Sequence, residues 1–205
     1  AGVGWLREEF EALGAASFEA RGALTDEYLR IFKVLWAGGS PRFEGRWYRF
    51  DGFDFEPRPV QRPHPPIWIG GASDAALRRV ARLADGWHPS HIPPAVYAKQ
   101  LERLRVHMAA QGRAMSDVTL SINFQLVLDR RARGDELEYV PQPESSARFV
   151  GNPRAAAATL RQYAALGVTH TGLNLSLLEE DSGASRPPTD AVEVLAHEVL
   201  PLLGN

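Results

Sequence analysis

Residues 65–89 read PPIWIGGASDAALRRVARLADGWHP, and this stretch decides the fold. Ile67–Ile69 is a short apolar run that predicts a strand, and Gly70-Gly71 allow a tight turn after it. Ser73 or Asp74 is suited to cap the alanine-rich helix that follows. The segment Asp85–Pro89 then predicts a second short strand. The stretch therefore predicts a strand–helix–strand unit.

The glycine turn of this unit is a candidate phosphate site. A turn that opens a helix presents free backbone N–H groups and the positive end of the helix dipole, and both favour an anion. Gly70, Gly71, Ala72 and Ser73 would form the cradle, with the Ser73 hydroxyl as a further donor. The alternative is that the glycines only close a tight loop and that Ser73 only caps the helix. The local sequence leaves both interpretations open.

Composition excludes several classes of function. The chain has 205 residues, a formal net charge of −2 and no cysteine, so a thiolate nucleophile, a disulfide framework and a Cys-ligated metal are all excluded. Basic and acidic residues are interspersed, and a nucleic-acid partner is not expected. No apolar run is long enough for a membrane span and no secretory signal is visible, so a cytoplasmic location is the default expectation. One domain that covers residues 1–205 is expected.

The rest of the chain alternates between predicted helices and strands. Helices are predicted at 18–37, 94–111, 155–166 and 190–203, and further strands at 118–128 and 169–177. Residues 43–53 alternate aromatic and charged side chains around glycines, which predicts a small hairpin insertion. Residues 129–151 and 179–188 show no periodicity and predict long loops. This alternation favours a parallel sheet covered by helices, either doubly wound or a (β/α)8 barrel.

Several motifs, in this order along the chain, resemble the bacterial luciferase-like family of flavin and deazaflavin oxidoreductases. They are Gly2-Val3-Gly4-Trp5, the helix Tyr28–Trp36, the hairpin Phe43–Tyr48, the stretch Pro63–Gly71, Ala84-Asp85-Gly86-Trp87, and the late segments Gly151-Asn152-Pro153 and Gly167–His170. Within that family the chain is most similar to the branch that uses coenzyme F420. The resemblance implies a (β/α)8 barrel, hydride transfer to or from a small organic substrate, and a homodimer of the intact protein. FMN is the alternative cofactor, which would serve a monooxygenase of the same fold.

The resemblance also places the segments of the chain within the barrel. Gly2, Val3, Gly4 and Trp5 match the end of the fourth barrel strand, so the chain corresponds to the C-terminal half of a barrel, from that point through strand 8 and the final helix. Their backbone N–H groups would bind the cofactor phosphate together with those of the glycine turn. Trp87 or His88, at the next strand end, would line the cofactor pocket, and core packing is the alternative for Trp87. The resemblance assigns no catalytic residue within this sequence.

A metal site and a role without catalysis are two further alternatives for the function. His64, His88 and His91 are metal-ligand types, but no nearby carboxylate completes a ligand set, so a metal site is not expected. A non-catalytic flavin-binding protein or dimer partner is the alternative that is not an enzyme.

Overall fold

The computed structural model describes residues 1–15, 17–141, 147–178, 185–186 and 188–204. The α-helices are α1 (Arg7–Ala12), α2 (Arg21–Ala37), α3 (Asp74–Leu83), α4 (Pro94–Ala110), α5 (Pro153–Ala165), α6 (Pro188–Val194) and α7 (Leu200–Leu203). A π-helical turn, Leu195–Val199, joins the last two helices, and 3₁₀ turns lie at Phe18–Ala20 and Met115–Asp117. The strands are β1 (Phe43–Glu44), β2 (Arg49–Phe50), β3 (Trp68–Gly70), β4 (Gly86–His88), β5 (Thr119–Leu128), β6 (Glu138–Val140), β7 (Arg148–Gly151), β8 (His170–Leu178) and β9 (Ser185–Arg186).

Strands β3, β4, β5 and β8 lie side by side in a parallel sheet. Ile69 pairs with Trp87, Gly86 pairs with Thr119, and β5 pairs with β8 over eight positions that begin at Ser121. These are the four strands that the sequence predicts, and their parallel order follows from the helices that connect them.

The stretch 129–151 differs from the prediction of one long loop. It contains β6 and β7, which pair with each other in an antiparallel manner, and β7 pairs in parallel with the second half of β5. Strand β5 is ten residues long, so β4 contacts its first half and β7 its second half on the same edge. Strands of three and four residues show too few alternations to be recognised from periodicity.

The hydrophobic core lies between one face of this sheet and the helices. Its largest fully buried side chains include Trp87, Tyr97, Phe124, Phe149 and Tyr163. In α3, the apolar residues at helical spacing are buried and the charged residues mostly face outward, as the sequence predicts. Gly167 follows α5 with a φ of +91° and ends that helix, also as expected. None of the described helices is both long and apolar enough to cross a membrane.

The hairpin β1–β2 is a separate two-stranded sheet outside the main one. Glu27 of α2, which is 1% exposed, anchors it by accepting hydrogen bonds from the backbone N–H groups of Arg46, Trp47 and Tyr48 at 2.8–2.9 Å. Burial acts to raise the pKa of the Glu27 carboxyl, but these three donors outweigh it and the pKa is lowered. The carboxylate is therefore the link between the hairpin and the helix layer.

Candidate functional site

The turn between β3 and α3 has the form expected of a phosphate cradle. Gly71 has a φ of +87°, which L side chains rarely adopt. Ser73 caps α3, because its Oγ accepts a hydrogen bond from the N–H of Ala76 at 3.3 Å. Among the described residues, no acceptor is found for the N–H groups of Ala72 and Ser73. These donors lie at the N-terminus of α3, where the helix dipole is positive.

Gly70 does not belong to this set of donors. Its N–H donates to the carbonyl of Ala1 at 2.8 Å, and the α-ammonium group of Ala1 donates to the carbonyl of Trp68. Ala1 is thereby placed against β3 in the manner of a parallel neighbour, opposite Ile69. The hydrogen bond that removes Gly70 as a phosphate donor also brings the two predicted cofactor segments, Gly2–Trp5 and the glycine turn, next to each other.

The segment Gly2–Gly4 lines a groove of about 410 Å³. Gly4 has a φ of +81°, and a Cβ there would lie 2.5 Å from the ring of Phe10, so the turn requires glycine. Arg21 of α2 lines the same groove, and its Nε is buried with no hydrogen-bond partner. Trp5 is 63% exposed. A guanidinium beside open backbone is the donor chemistry that an anionic group requires.

Trp87 occupies the core instead of the pocket surface. Its side chain is 0% exposed and its ring lies 4.6 Å from that of Tyr97, which agrees with the packing alternative. Its Nε1–H nevertheless donates to the carbonyl of Gly71 at 2.9 Å. This bond orients the Gly71 peptide, so Trp87 supports the cradle from the core side. Its side chain has no exposed surface that could contact a ligand.

The face of the sheet opposite the core carries polar side chains in register, and we call it the polar face. In β5, Ser121, Asn123 and Gln125 alternate with buried Ile122, Phe124 and Leu126. The same face includes His88 of β4, Arg148 of β7, and His170 and Asn174 of β8. The signal is the period-two alternation in 121–126 and 173–177, since strands buried on both faces are usually apolar throughout. The sequence analysis identifies these strands and His88, and it names His170 as part of a family motif, but it does not identify the remaining members.

Hydrogen bonding fixes the tautomer of His88. The Ser121 hydroxyl donates to the carbonyl of Trp87 at 2.9 Å, and its oxygen lies 2.8 Å from Nδ1 of His88. Since the single hydroxyl proton is already used, Nδ1 of His88 must donate and Nε2 carries the free lone pair. Burial lowers the pKa of His88. The ring is therefore held neutral, with an acceptor nitrogen.

Trp68 forms the floor of the polar face at the N-terminal ends of the strands. A Cβ at Gly86 would lie 2.5 Å from its indole ring, so the ring covers the neighbouring strand where that strand has no side chain. The ring centroid lies 5.8 Å from that of His88 and 5.3 Å from that of His170. The face thus has an aromatic base with imidazole and amide groups above it.

Within the described part of the chain, no group of three His, Asp or Glu side chains is arranged to hold a metal ion. The site therefore consists of backbone donors, two arginines with orphaned Nε atoms and neutral polar side chains.

The sequence model of the luciferase-like monooxygenases matches residues 1–135, which is most of the chain. The protein belongs to the luciferase-like monooxygenase family. Two curated relatives are FMNH₂-dependent dimethylsulfone monooxygenases, from Pseudomonas putida (33% identical over 114 residues) and Pseudomonas fluorescens (32% over 109 residues). The matched segments make up 55% and 52% of this chain but only 31% and 29% of the relatives, so they span under a third of those proteins.

Solved structures of the luciferase-like fold superpose over nearly the whole chain. An F420-dependent secondary alcohol dehydrogenase matches with a TM-score of 0.76 and 13% identity, covering 100% of this chain and 68% of its own. The F420-dependent tetrahydromethanopterin reductase from Methanopyrus kandleri gives 0.70 and 14%, covering 98% and 72%. At such identities the likeness establishes the fold alone. It confirms the predicted partial barrel of the luciferase-like type.

Proposed function

We propose that this chain forms the phosphate-binding wall and part of the substrate-facing wall of an oxidoreductase that uses a flavin-type cofactor on a small organic substrate. The observation that carries the proposal is the turn Gly71–Ser73, whose open backbone donors lie at the C-terminal edge of a parallel sheet and at the start of α3. Binding sites in barrels of this kind lie at that edge. Gly2–Gly4 follow Ala1, which is hydrogen-bonded to Gly70 beside the turn, and Arg21 of α2 lines the same groove as Gly2–Gly4.

The polar face fits a second requirement of such an enzyme, which is a surface that binds the substrate without reacting with it. When bound, the tricyclic ring of a flavin or deazaflavin supplies the redox chemistry. The chain's own residues orient the reactants. His88 presents a neutral acceptor at Nε2, which suits it to accept a hydrogen bond or a proton from a substrate, and Ser121 keeps it in that tautomer.

The identity of the cofactor rests on two considerations of different kinds. The family motifs in the sequence favour F420, whereas the curated relatives with 33% and 32% identity are FMNH₂-dependent. Both cofactors carry a phosphate on a ribityl-type chain, so the cradle accommodates either. We favour reduced FMN with O₂ as oxidant, because sequence identity above 30% is more specific than likeness of fold. F420 stays the second candidate.

The phosphate can be tested by comparing FMN with riboflavin, which lacks it. Ser73→Asp keeps a helix cap but puts a negative charge at the cradle, so it should weaken FMN binding about tenfold or more and leave riboflavin binding unchanged. Ser73→Asn keeps the cap without the charge and is the matched control. Flavin fluorescence titration gives both dissociation constants, and a parallel titration with F420 decides between the cofactors.

Three outcomes would count against the proposal. If Ser73→Asp and Ser73→Asn weaken FMN binding equally, the negative charge at the cradle has no effect on binding. If FMN and riboflavin bind with equal affinity to the unmodified protein, the phosphate is not recognised. Binding of FMN without O₂-dependent oxidation of an added substrate would instead favour the non-catalytic flavin-binding alternative.

A further inference from the structure

Arg148 lies in the part of the polar face that the second half of β5 forms with β7 and β8. It pairs in register with Gln125 of β5, which in turn pairs with Asn174 of β8, so the three side chains form one row across the sheet. Its neighbour Phe149 points to the opposite face and packs on Phe124 with ring centroids 4.9 Å apart. The guanidinium therefore belongs to the polar face and not to the core.

The guanidinium of Arg148 has no partner within the described part of the chain. Its Nε is buried and has no hydrogen-bond partner among the described residues. Glu138 is a carboxylate on the same side of the neighbouring β6, but it pairs in register with Val150 and not with Arg148. Burial of a guanidinium nitrogen without an acceptor is costly, so a ligand that brings anionic oxygens to this guanidinium would bind favourably.

The side chains next to Arg148 favour the binding of an anionic group. Gln125 and Asn174 each offer an amide N–H₂ donor, and a guanidinium binds carboxylate, sulfonate or phosphate oxygens through two parallel hydrogen bonds. We propose that the row Arg148–Gln125–Asn174 binds the anionic group of a small organic substrate. This inference rests on the proposed function and specifies its substrate class as small molecules that carry one carboxylate, sulfonate or phosphonate group.

The cofactor phosphate is the other anion that could reach Arg148. The cradle follows β3, and β4 lies between β3 and β5, so the row is about 10 Å or more from the cradle by strand spacing alone. The proposal therefore assigns Arg148 to the substrate. Comparison of FMN with riboflavin separates the two sources.

The test uses two probes of nearly equal size, methanesulfonate and dimethyl sulfone, which differ by an anionic oxygen in place of a methyl group. We expect the protein to bind methanesulfonate about tenfold more tightly or better in calorimetric titration, because charge-assisted hydrogen bonds contribute that much. Arg148→Met should remove the preference, and Arg148→Lys should restore part of it. Arg154→Met is the control, since it removes the same charge from an exposed position on α5.

Several results would overturn the proposal. Methanesulfonate that binds no better than dimethyl sulfone, or an equal loss of affinity in the Arg148→Met and Arg154→Met variants, would show that no specific anion site exists. A loss of FMN affinity without loss of riboflavin affinity in Arg148→Met would assign the residue to the cofactor phosphate. A melting temperature that falls in Arg148→Met would indicate a structural partner. If the protein binds neither FMN nor F420, but Arg148→Met still removes the preference for methanesulfonate, the proposed cofactor is wrong and the anion site is supported.

Discussion

The left-handed conformation of Gly71 gives the sharpest quantitative test of the cradle. In Gly71→Ala, an L side chain must adopt a φ of +87°, which costs about 1–2 kcal/mol. The added Cβ would lie 3.4 Å from that of Ala76, an ordinary contact that adds little. Gly70→Ala is the matched control, because its φ is not in the left-handed region and its Cβ would meet only atoms at 3.5 Å or beyond.

The two variants share the loss of backbone freedom in the unfolded chain, which favours alanine by about 0.4–1 kcal/mol at each position. That contribution cancels in the comparison. The free energy of unfolding, measured by urea denaturation, should therefore be about 1–2 kcal/mol lower for Gly71→Ala than for Gly70→Ala. In flavin titrations, Gly71→Ala should also weaken FMN binding more than Gly70→Ala does. Equal stabilities of the two variants would refute the strained turn, and equal FMN affinities would refute its role as a cradle.

The remaining predictions concern the supports of the site. Glu27→Gln should lower the free energy of unfolding by about 1.5–3 kcal/mol, because a charged acceptor of three N–H groups is lost. Because the pKa of Glu27 is lowered in the folded state, this stabilisation is present above about pH 4.5 and is lost as the pH falls below it. Urea denaturation between about pH 3 and 7 should therefore show that the free energy of unfolding depends less steeply on pH in Glu27→Gln than in the unmodified protein. Trp87→Phe leaves the carbonyl of Gly71 without its donor, so we expect it to lower the free energy of unfolding by about 1–3 kcal/mol and to weaken FMN binding by at least as much. Urea denaturation measures the first effect and flavin titration the second. A change in stability alone would limit the role of Trp87 to packing. The predicted homodimer is tested by sedimentation equilibrium, and a monomer at all concentrations would contradict it.

The sequence predicts the strand–helix–strand unit well because its signals are local. The apolar run before Gly70-Gly71, the Ser73 cap and the apolar face of α3 all agree, and each depends on residues a few positions apart. Strand β7 could not be predicted in the same way. Its four residues are defined by pairing with the far half of β5, which lies more than twenty positions earlier in the chain.

The site was predictable only in part, for a physical reason. The donors of the glycine turn follow from its sequence, but the use of the Gly70 N–H by Ala1 depends on a contact between distant segments. Trp87 has the apolar surface of a pocket residue and the burial of a core residue, and only the packing of α4 against β4 decides between these roles. The alternation in β5 and β8 does show in the sequence, yet a face that holds Arg148 beside Gln125 requires the register of three strands.

In the proposed function, the turn Gly71–Ser73, together with Gly2–Gly4, binds the phosphate of a flavin-type cofactor. The most direct measurement is the ratio of the riboflavin to the FMN dissociation constant for the unmodified protein and for Ser73→Asp, under the same salt conditions. We expect a ratio of about ten or more for the unmodified protein, which falls towards one in the variant while the affinity for riboflavin stays constant. A ratio near one in the unmodified protein, or one that Ser73→Asp leaves unchanged, would contradict the claim.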